Sequence, residues 1–114
     1  MIADVLAPTG ATATARFFRV LADSNRLKII ESLASGERTV SELVAIVGLT
    51  QPRISTHLAC LRHCGFVSTE RRGKEVVYRL ALDGLDDVLD RAGESLAPIA
   101  ERLATCSRIG PDWV

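Results

Sequence analysis

Apolar residues recur every three or four positions along the first 65 residues, which is the spacing of helices that bury one face. A first helix is predicted over residues 13–22, where Phe17 and Val20 fall on the apolar side. A second helix is predicted from the capping cluster at residues 23–25 to Gly36, since Asp, Ser and Asn favour helix starts and Gly favours helix ends.

Two further short helices are predicted between residues 39 and 65. Thr39 and Glu42 have the spacing of a capping box, which predicts a third helix that ends at Gly48. A fourth helix follows Thr50, tolerates Pro52 in its first turn and buries a stripe of Ile54, Leu58 and Leu61. Two short helices joined by a tight turn with Gly are typical of a helix-turn-helix, whose second helix enters the major groove of DNA.

The hydrophobic period changes to two after Phe66, which predicts strands over residues 66–71 and 75–80 with a basic turn at Arg72-Gly73-Lys74. A last amphipathic helix is predicted from Leu85 to Leu103, bent near Pro98. The expected fold is mainly α with a β-hairpin wing, a winged helix-turn-helix. Residues 1–12 are predicted to be a flexible arm, residues 13–106 the domain with its terminal dimerisation helices, and residues 107–114 an irregular tail.

Length and composition limit the class of protein. A chain of 114 residues with 47% hydrophobic content buries one modest core and leaves no room for a separate catalytic domain. The first residues show no basic segment followed by an apolar run, and no stretch is apolar over the roughly 20 residues that a membrane span needs. We therefore expect a cytoplasmic protein without a membrane partner, whose three cysteines are reduced.

The formal net charge of +0 conceals two segments of opposite charge. Residues 51–80 contain six basic and two acidic side chains, a net charge of +4, whereas residues 83–101 contain one basic and six acidic side chains, a net charge of −5. Because phosphate binding needs clustered Lys and Arg, only the middle segment is a candidate surface for nucleic acid.

The candidate DNA-binding residues fall in two places. Gln and Arg side chains form paired hydrogen bonds with adenine and guanine edges, and the start of the fourth helix offers such donors and acceptors. The hairpin tip offers cations for phosphate or the minor groove, which add affinity more than sequence choice. The expected DNA contacts are Thr50, Gln51, Arg53, Ser55 and Thr56 on the helix and Arg71, Arg72 and Lys74 on the wing.

Cys60 and Cys64 stand four residues apart on the fourth helix, so both sulfurs can reach one metal ion. They project beside the apolar stripe and share a face with Arg53 and His57, which places a thiol pair on the helix that reads DNA. A cation nearby, from Arg53, His57 or His63, is expected to lower the thiol pKa.

Three segments in order, Leu21 to Leu27, Ser41-Glu42-Leu43 and Thr50 to Leu58, resemble the ArsR/SmtB family of bacterial metal-responsive repressors. The resemblance extends from about residue 15 to residue 103. It implies a homodimer, paired through the first and last helices, that represses its own operon until an inducer binds. His57 resembles the histidine on the family's recognition helix, which implies a DNA-facing or structural role.

Members of this family carry their metal sites at different positions in the fold. Residues 38–41 contain no thiol and the last helix contains no His, so the arsenic-type and zinc-type sites are not expected. The segment Leu58 to Gly65 resembles the cadmium- and lead-sensing CmtR-like branch, which implies that a third thiolate, Cys106 of the other subunit, joins Cys60 and Cys64. Three thiolates favour soft ions: Cd(II) and Pb(II) first, with Hg(II) and arsenite also qualifying.

The sequence thus predicts a repressor that binds an imperfect inverted repeat of operator DNA as a homodimer and is released by a soft metal ion. The alternative keeps the fold but makes the cysteines a thiol redox switch, or leaves the protein without a metal inducer. An enzyme is not expected, because Cys-x-x-x-Cys lacks the redox spacing and no catalytic triad or phosphate loop is present.

Overall fold

The structure, a computed structural model, describes residues 10–109 and confirms the winged helix-turn-helix fold. Two stretches fall outside this range, 1–9 and 110–114, and with them most of the predicted arm and tail. The elements in chain order are α1 (Ala11–Leu21), α2 (Ser24–Ala34), β1 (Arg38–Thr39), α3 (Val40–Val47), α4 (Gln51–His63), β2 (Val67–Arg72), β3 (Glu75–Leu80), α5 (Leu85–Leu96), a 3-10 turn (Ala97–Ile99) and α6 (Ala100–Ala104).

Capping chemistry in the sequence places the starts of α2 and α3. The Asp23 carboxylate accepts hydrogen bonds from the backbone N–H groups of Asn25 and Arg26 at 2.8 and 3.1 Å. Thr39 and Glu42 form the predicted capping box at the start of α3. Helix α1, however, begins at Ala11, two residues before the predicted start, so the end of the predicted arm is helical. Alanine, the strongest helix former, extends the helix through this segment.

The sheet has three antiparallel strands in the order β1-β3-β2, one more than the predicted hairpin. Strand β1 is only two residues long and pairs Arg38 with Tyr78 and Thr39 with Val77. A two-residue segment is too short to show the alternation of polar and apolar residues that predicts a strand. It is a strand because its backbone pairs with the edge of β3. The sheet therefore ties the wing to the segment between α2 and α3.

The core lies among α2, α3, α4 and the base of the wing. The predicted stripe of α4, Ile54, Leu58 and Leu61, is fully buried. Other members come from the neighbouring elements, namely Leu21, Ile29, Ile30, Leu33, Leu43, Phe66, Val67 and Leu85. Burial of one face fixes which side of α4 is left for contact with a partner.

The C-terminal helices α5 and α6 lie mostly outside the core of the chain. The predicted bend at Pro98 is present as the 3-10 turn between α5 and α6. Every residue from Asp90 to Thr105 is exposed in the single chain, including Leu96, Ile99 and Leu103, which are 43–45% exposed.

No helix within residues 10–109 combines the length and the apolar character that would let it cross a bilayer.

Candidate functional site

The helix-turn-helix consists of α3, a three-residue turn and α4. Gly48 ends α3 in the left-handed conformation, with φ of 81°, and Thr50 stands at the N-cap of α4. Pro52 lies in the first turn of α4, where the missing N–H leaves no helical hydrogen bond unmade. Outside the buried stripe, Gln51, Arg53 and Thr56 are exposed.

The polar side chains at the start of α4 are only lightly engaged within the chain. Gln51 Nε2 donates to Ser55 Oγ at 3.4 Å, and Thr56 Oγ1 donates to the carbonyl of Pro52 at 2.9 Å. The Thr50 hydroxyl makes no capping hydrogen bond. Arg53 has neither a hydrogen bond nor an ion pair to any residue that the structure describes, so its guanidinium is free for a partner.

His57 lies beside these residues and is partly buried. Its Nδ1 atom is enclosed and has no hydrogen-bond partner among residues 10–109. Together with Pro52, Arg53 and Thr56 it lines an open groove of about 340 Å³ on the outer side of α4. His63, in contrast, is exposed near the end of the helix.

The wing turns at Gly73, whose φ of 64° is the left-handed region that glycine adopts without strain. Register sets Arg71 opposite Val76 and Arg72 opposite Glu75, and side chains alternate along a strand. The two arginines therefore lie on opposite faces. Arg72 forms ion pairs with Glu37 and Glu70, whereas Arg71 and Lys74 are exposed without an ion pair in the described part of the chain.

The two cysteines of α4 lie at its C-terminal end, where the helix closes in a Schellman motif. The N–H of Phe66 donates to the carbonyl of Leu61 at 2.9 Å, and the N–H of Gly65 donates to the carbonyl of Arg62 at 3.1 Å. Cys64 is the C-cap residue and is exposed, while Cys60 is partly buried one turn earlier. The Schellman motif therefore fixes the backbone conformation at Cys64 and the path of the chain after α4.

The thiols interact with each other, and the pKa of Cys64 is raised above its ordinary value of 9.0. Desolvation is the main cause, and the charge and hydrogen bonding of Cys60 add to it. The predicted lowering of the thiol pKa by Arg53, His57 or His63 is therefore wrong for Cys64. Among residues 10–109, Arg26 of α2 is the cation that opposes the rise, and desolvation outweighs it.

Cys106 lies beyond α6, where its backbone N–H donates to the carbonyl of Leu103 at 3.4 Å. It is partly buried and unpaired. Within residues 10–109 of the chain, no three His, Cys, Asp or Glu side chains converge on a point where they could hold a metal ion. A single chain thus brings together two of the three predicted thiol ligands, Cys60 and Cys64.

An aromatic contact joins the thiol end of α4 to the first helix. Phe66, two residues after Cys64, packs on Phe17 of α1 with ring centroids 5.4 Å apart. Phe17 also meets Phe18 edge to face at 5.4 Å, and Phe18 is half exposed. A movement of the C-terminal end of α4 can therefore be transmitted to α1 through this aromatic contact.

Three residues near the candidate sites were not foreseen from the sequence. Arg26 affects the Cys64 thiol from another helix, and Glu37 and Glu70 hold Arg72. Glu70 stands two residues from Arg72 on the same strand, a spacing that places both on one face and could have indicated the pair. Nothing in the local sequence connects Glu37 to an arginine 35 residues away.

Comparisons with known proteins agree with this geometry. Residues 23–69 match the family model described as a bacterial regulatory protein of the arsR family. A probable mercury resistance operon repressor of Streptomyces lividans is 44% identical over 101 residues, which cover 89% of this chain and 81% of that protein. The transcriptional regulator CmtR of Mycobacterium tuberculosis is 43% identical over 70 residues, 61% of this chain and 59% of its own length.

Solved structures show the same architecture. The crystal structure of M. tuberculosis Rv0081 matches with a TM-score of 0.72 and 34% identity, covering 81% of this chain and 94% of that one. The NMR structure of the cadmium metal-sensor CmtR from M. tuberculosis matches with a TM-score of 0.58 and 40% identity, covering 68% and 80% of the two chains. The mercury resistance operon repressor and CmtR are named as regulators of transcription and not as enzymes. The chain therefore belongs to the ArsR/SmtB family of metal-responsive transcriptional repressors, which bind DNA through a helix-turn-helix.

Proposed function

We propose that the protein acts in the cytoplasm as a homodimeric repressor that is released from operator DNA when a soft metal ion binds Cys60, Cys64 and the partner subunit's Cys106. One observation supports this above all others. The outward-facing polar side chains of the helix-turn-helix lie at the start of the 13-residue helix α4, Cys60 lies on the same helix, and Cys64 is its C-cap residue.

Operator binding would use two surfaces of each subunit. Gln51 and Arg53 have the chemistry to pair with base edges, and Thr50, Ser55, Thr56 and His57 surround them on α4. Arg71 and Lys74 of the wing supply free cations for phosphate. Two such helices in a twofold dimer would enter successive major grooves about 34 to 36 Å apart, so the operator would be an imperfect inverted repeat.

The dimer would form through α1 and the C-terminal helices. Large apolar side chains are exposed on both, namely Phe18, Val88, Leu96, Ile99 and Leu103. Phe18 and Val88 also line an apolar groove of about 380 Å³ between the two elements. A second copy of the chain is the occupant that explains an apolar face of this extent in a family of regulators.

The donors suit a thiophilic ion. Two sulfurs one helical turn apart provide half of a tetrahedral site or two corners of a pyramidal one, and sulfur selects Cd(II), Pb(II), Hg(II) or arsenite over Mg(II) and Ca(II). Cd(II) and Pb(II) are favoured here by the resemblance of residues 58–65 to the CmtR-like branch. One relative is named for mercury resistance and another as a cadmium sensor, so the metal has to be measured.

Release would follow from the position of the thiols. If Cys60 and Cys64 held a metal together with the partner subunit, the C-terminal end of α4 would be displaced, and the other end of that helix presents Arg53. Because Phe66 packs on Phe17, the same displacement would be passed to α1 and the dimer surface. Metal binding at the thiols would supply the free energy, and displacement of α4 would misplace the side chains proposed to contact DNA.

A thiol redox switch is the second candidate, favoured by the contact between Cys60 and Cys64. Oxidation of this pair, or of either cysteine with Cys106, would strain or displace the same helix end. In that case the protein would have no metal inducer, and oxidation of the thiols would release it from DNA.

One titration separates the two. The reduced protein on labelled operator DNA is titrated with Cd(II), Pb(II) and Hg(II) under anaerobic conditions while thiolate-to-metal absorption is followed. Release of DNA in step with that absorption is the expected result. If all three ions leave the complex intact and peroxide dissociates it, the redox function replaces the proposed one.

A further inference from the structure

The outer face of the wing holds a four-residue charge network, formed by Glu37, Glu70, Arg72 and Arg79. Arg72 is at its centre: Nε donates to Glu70 Oε2 at 2.9 Å, Nη2 donates to Glu37 Oε1 at 3.1 Å, and Nη1 is ion-paired with Glu37 as well. Arg79 Nη1 lies 3.5 Å from Glu37 and 3.8 Å from Glu70. All three nitrogens of the Arg72 guanidinium therefore face carboxylate.

This network neutralises the outer face. Two carboxylates oppose two guanidinium groups, so the four residues contribute no net charge. Glu37 does not belong to the wing at all; it lies in the turn between α2 and β1, and its place opposite Arg79 follows from the pairing of β1 with β3. Hydrogen bonding and charge from Arg72 lower the pKa of Glu37, so this carboxylate is ionised at neutral pH.

On this basis we infer that Glu37 and Glu70 withhold Arg72 from DNA, so that the wing meets phosphate with Arg71 and Lys74 alone and operator affinity is held below what the basic sequence of the wing would give. The inference rests on the proposed contact between the wing and DNA. It adds a limit on the affinity for operator DNA. Part of this limit comes from outside the wing, because Glu37 belongs to the turn between α2 and β1.

The reason is competition between anions for one guanidinium. A phosphate that approaches Arg72 must displace two carboxylates that are already in place, one of them held by a separate part of the chain. A cation neutralised in this way also releases few counterions when DNA binds, and counterion release is what makes DNA binding depend on salt. The salt dependence therefore reports whether Arg72 is engaged.

The test is the salt dependence of operator binding by Glu37→Gln and by the double variant E37Q/E70Q. The double variant should bind more tightly, and its plot of log affinity against log salt should steepen by about 0.9 per released arginine in each wing. Glu37→Gln alone should give a smaller change in the same direction. Exposed ion pairs add little to folding stability, so both variants should remain folded. Thermal melting of each variant checks this.

Two controls separate release of Arg72 from a general loss of negative charge. Glu75→Gln removes one charge at the wing tip from a residue that makes no ion pair in the described part of the chain, so it should leave the slope unchanged. Adding Arg72→Gln to E37Q/E70Q should remove the gain. If the triple variant keeps the gain, or Glu75→Gln matches Glu37→Gln, Arg72 is not the residue withheld and the inference is wrong.

Lys74→Gln distinguishes a failure of this inference from a failure of the proposed function. A flatter slope in Lys74→Gln together with no change in E37Q/E70Q leaves the wing contact in place and overturns the inference alone. An unchanged slope in Lys74→Gln and also in Arg71→Gln shows that the wing does not meet phosphate, and the proposed wing contact and this inference then fail together.

Discussion

Cys60 and Cys64 lie one turn apart at the end of α4, and the proximity of Cys60 contributes to the raised pKa of Cys64. A thiol whose ionisation is disfavoured by a neighbouring thiol is a poor free thiolate, but the two together are a good pair of ligands, because a divalent cation removes the repulsion between two thiolates. Each is also off the buried stripe of the helix, so it can be changed without opening the core.

Cys60→Ser and Cys64→Ser should each keep the operator affinity of the native protein and lose release by metal. Serine is close in size to cysteine, and neither residue touches the proposed DNA-contacting end of α4, whereas a hydroxyl is a weak ligand for soft ions. DNA binding with and without Cd(II) or Pb(II) measures both effects. Ala59→Ser, at an exposed neighbouring position, is the control and should respond to metal normally. Metal release that survives in both cysteine variants would contradict the thiol site.

Cys106 should act across the dimer, and mixed dimers can show it. A C60S/C64S subunit retains Cys106, and a C106S subunit retains the helix pair, so neither homodimer has a complete three-thiolate site. A heterodimer of the two has one complete site if the third ligand comes from the partner. We expect the mixture to recover about half of the native metal-to-thiolate absorption per heterodimer. No recovery on mixing would place Cys106 in the same subunit as its co-ligands or outside the site.

Arg53→Ala should weaken operator binding with and without metal. A paired contact between arginine and guanine contributes about 1–3 kcal/mol, which corresponds to roughly fivefold to 150-fold in affinity per contact. Competition with unrelated DNA should show that sequence preference falls along with affinity. Arg62→Ala removes the same charge near the other end of the helix and is the matched control. Equal losses in both variants would mean that Arg53 acts through its charge and not through a base.

Stability should fall in acid partly because of the capping box. A backbone hydrogen bond from Thr39 lowers the pKa of Glu42 below its ordinary value of 4.5. A carboxyl with a lowered pKa in the folded state stabilises that state above about pH 4.5, and this contribution is lost as the pH falls through the lowered value. Glu42→Gln should therefore flatten the loss of unfolding free energy between pH 5 and 3. Glu31→Gln, on the exposed side of α2, should leave the loss as it is.

Most helices and strands could be predicted from interactions between residues that are close together in the sequence. The capping box of Thr39, the apolar stripe of Ile54, Leu58 and Leu61, and the break at Pro98 each depend on residues within a few positions of one another, and each is present in the structure. The thiol pair was found for the same reason, since a helix fixes the relation between residues four apart.

What the sequence did not show depends on contacts between distant segments. Strand β1 exists only because β3 pairs with it, and Glu37 meets Arg72 only because that pairing aligns the two. The direction of the Cys64 pKa shift was missed because desolvation is set by the packing around the thiol and not by the charges next to it in the chain. In each case the deciding partner lies on another element.

The thiols and the side chains proposed to contact DNA share α4 and its C-cap, and this shared position would have a thermodynamic consequence for sensing. If metal weakens operator binding by a given factor, bound operator must weaken metal binding by that same factor. Subunits free of DNA would then take up the ion first, and operator-bound dimers would respond only after that free pool is filled. The number of unbound repressors in the cell would in this way set the metal concentration at which transcription begins.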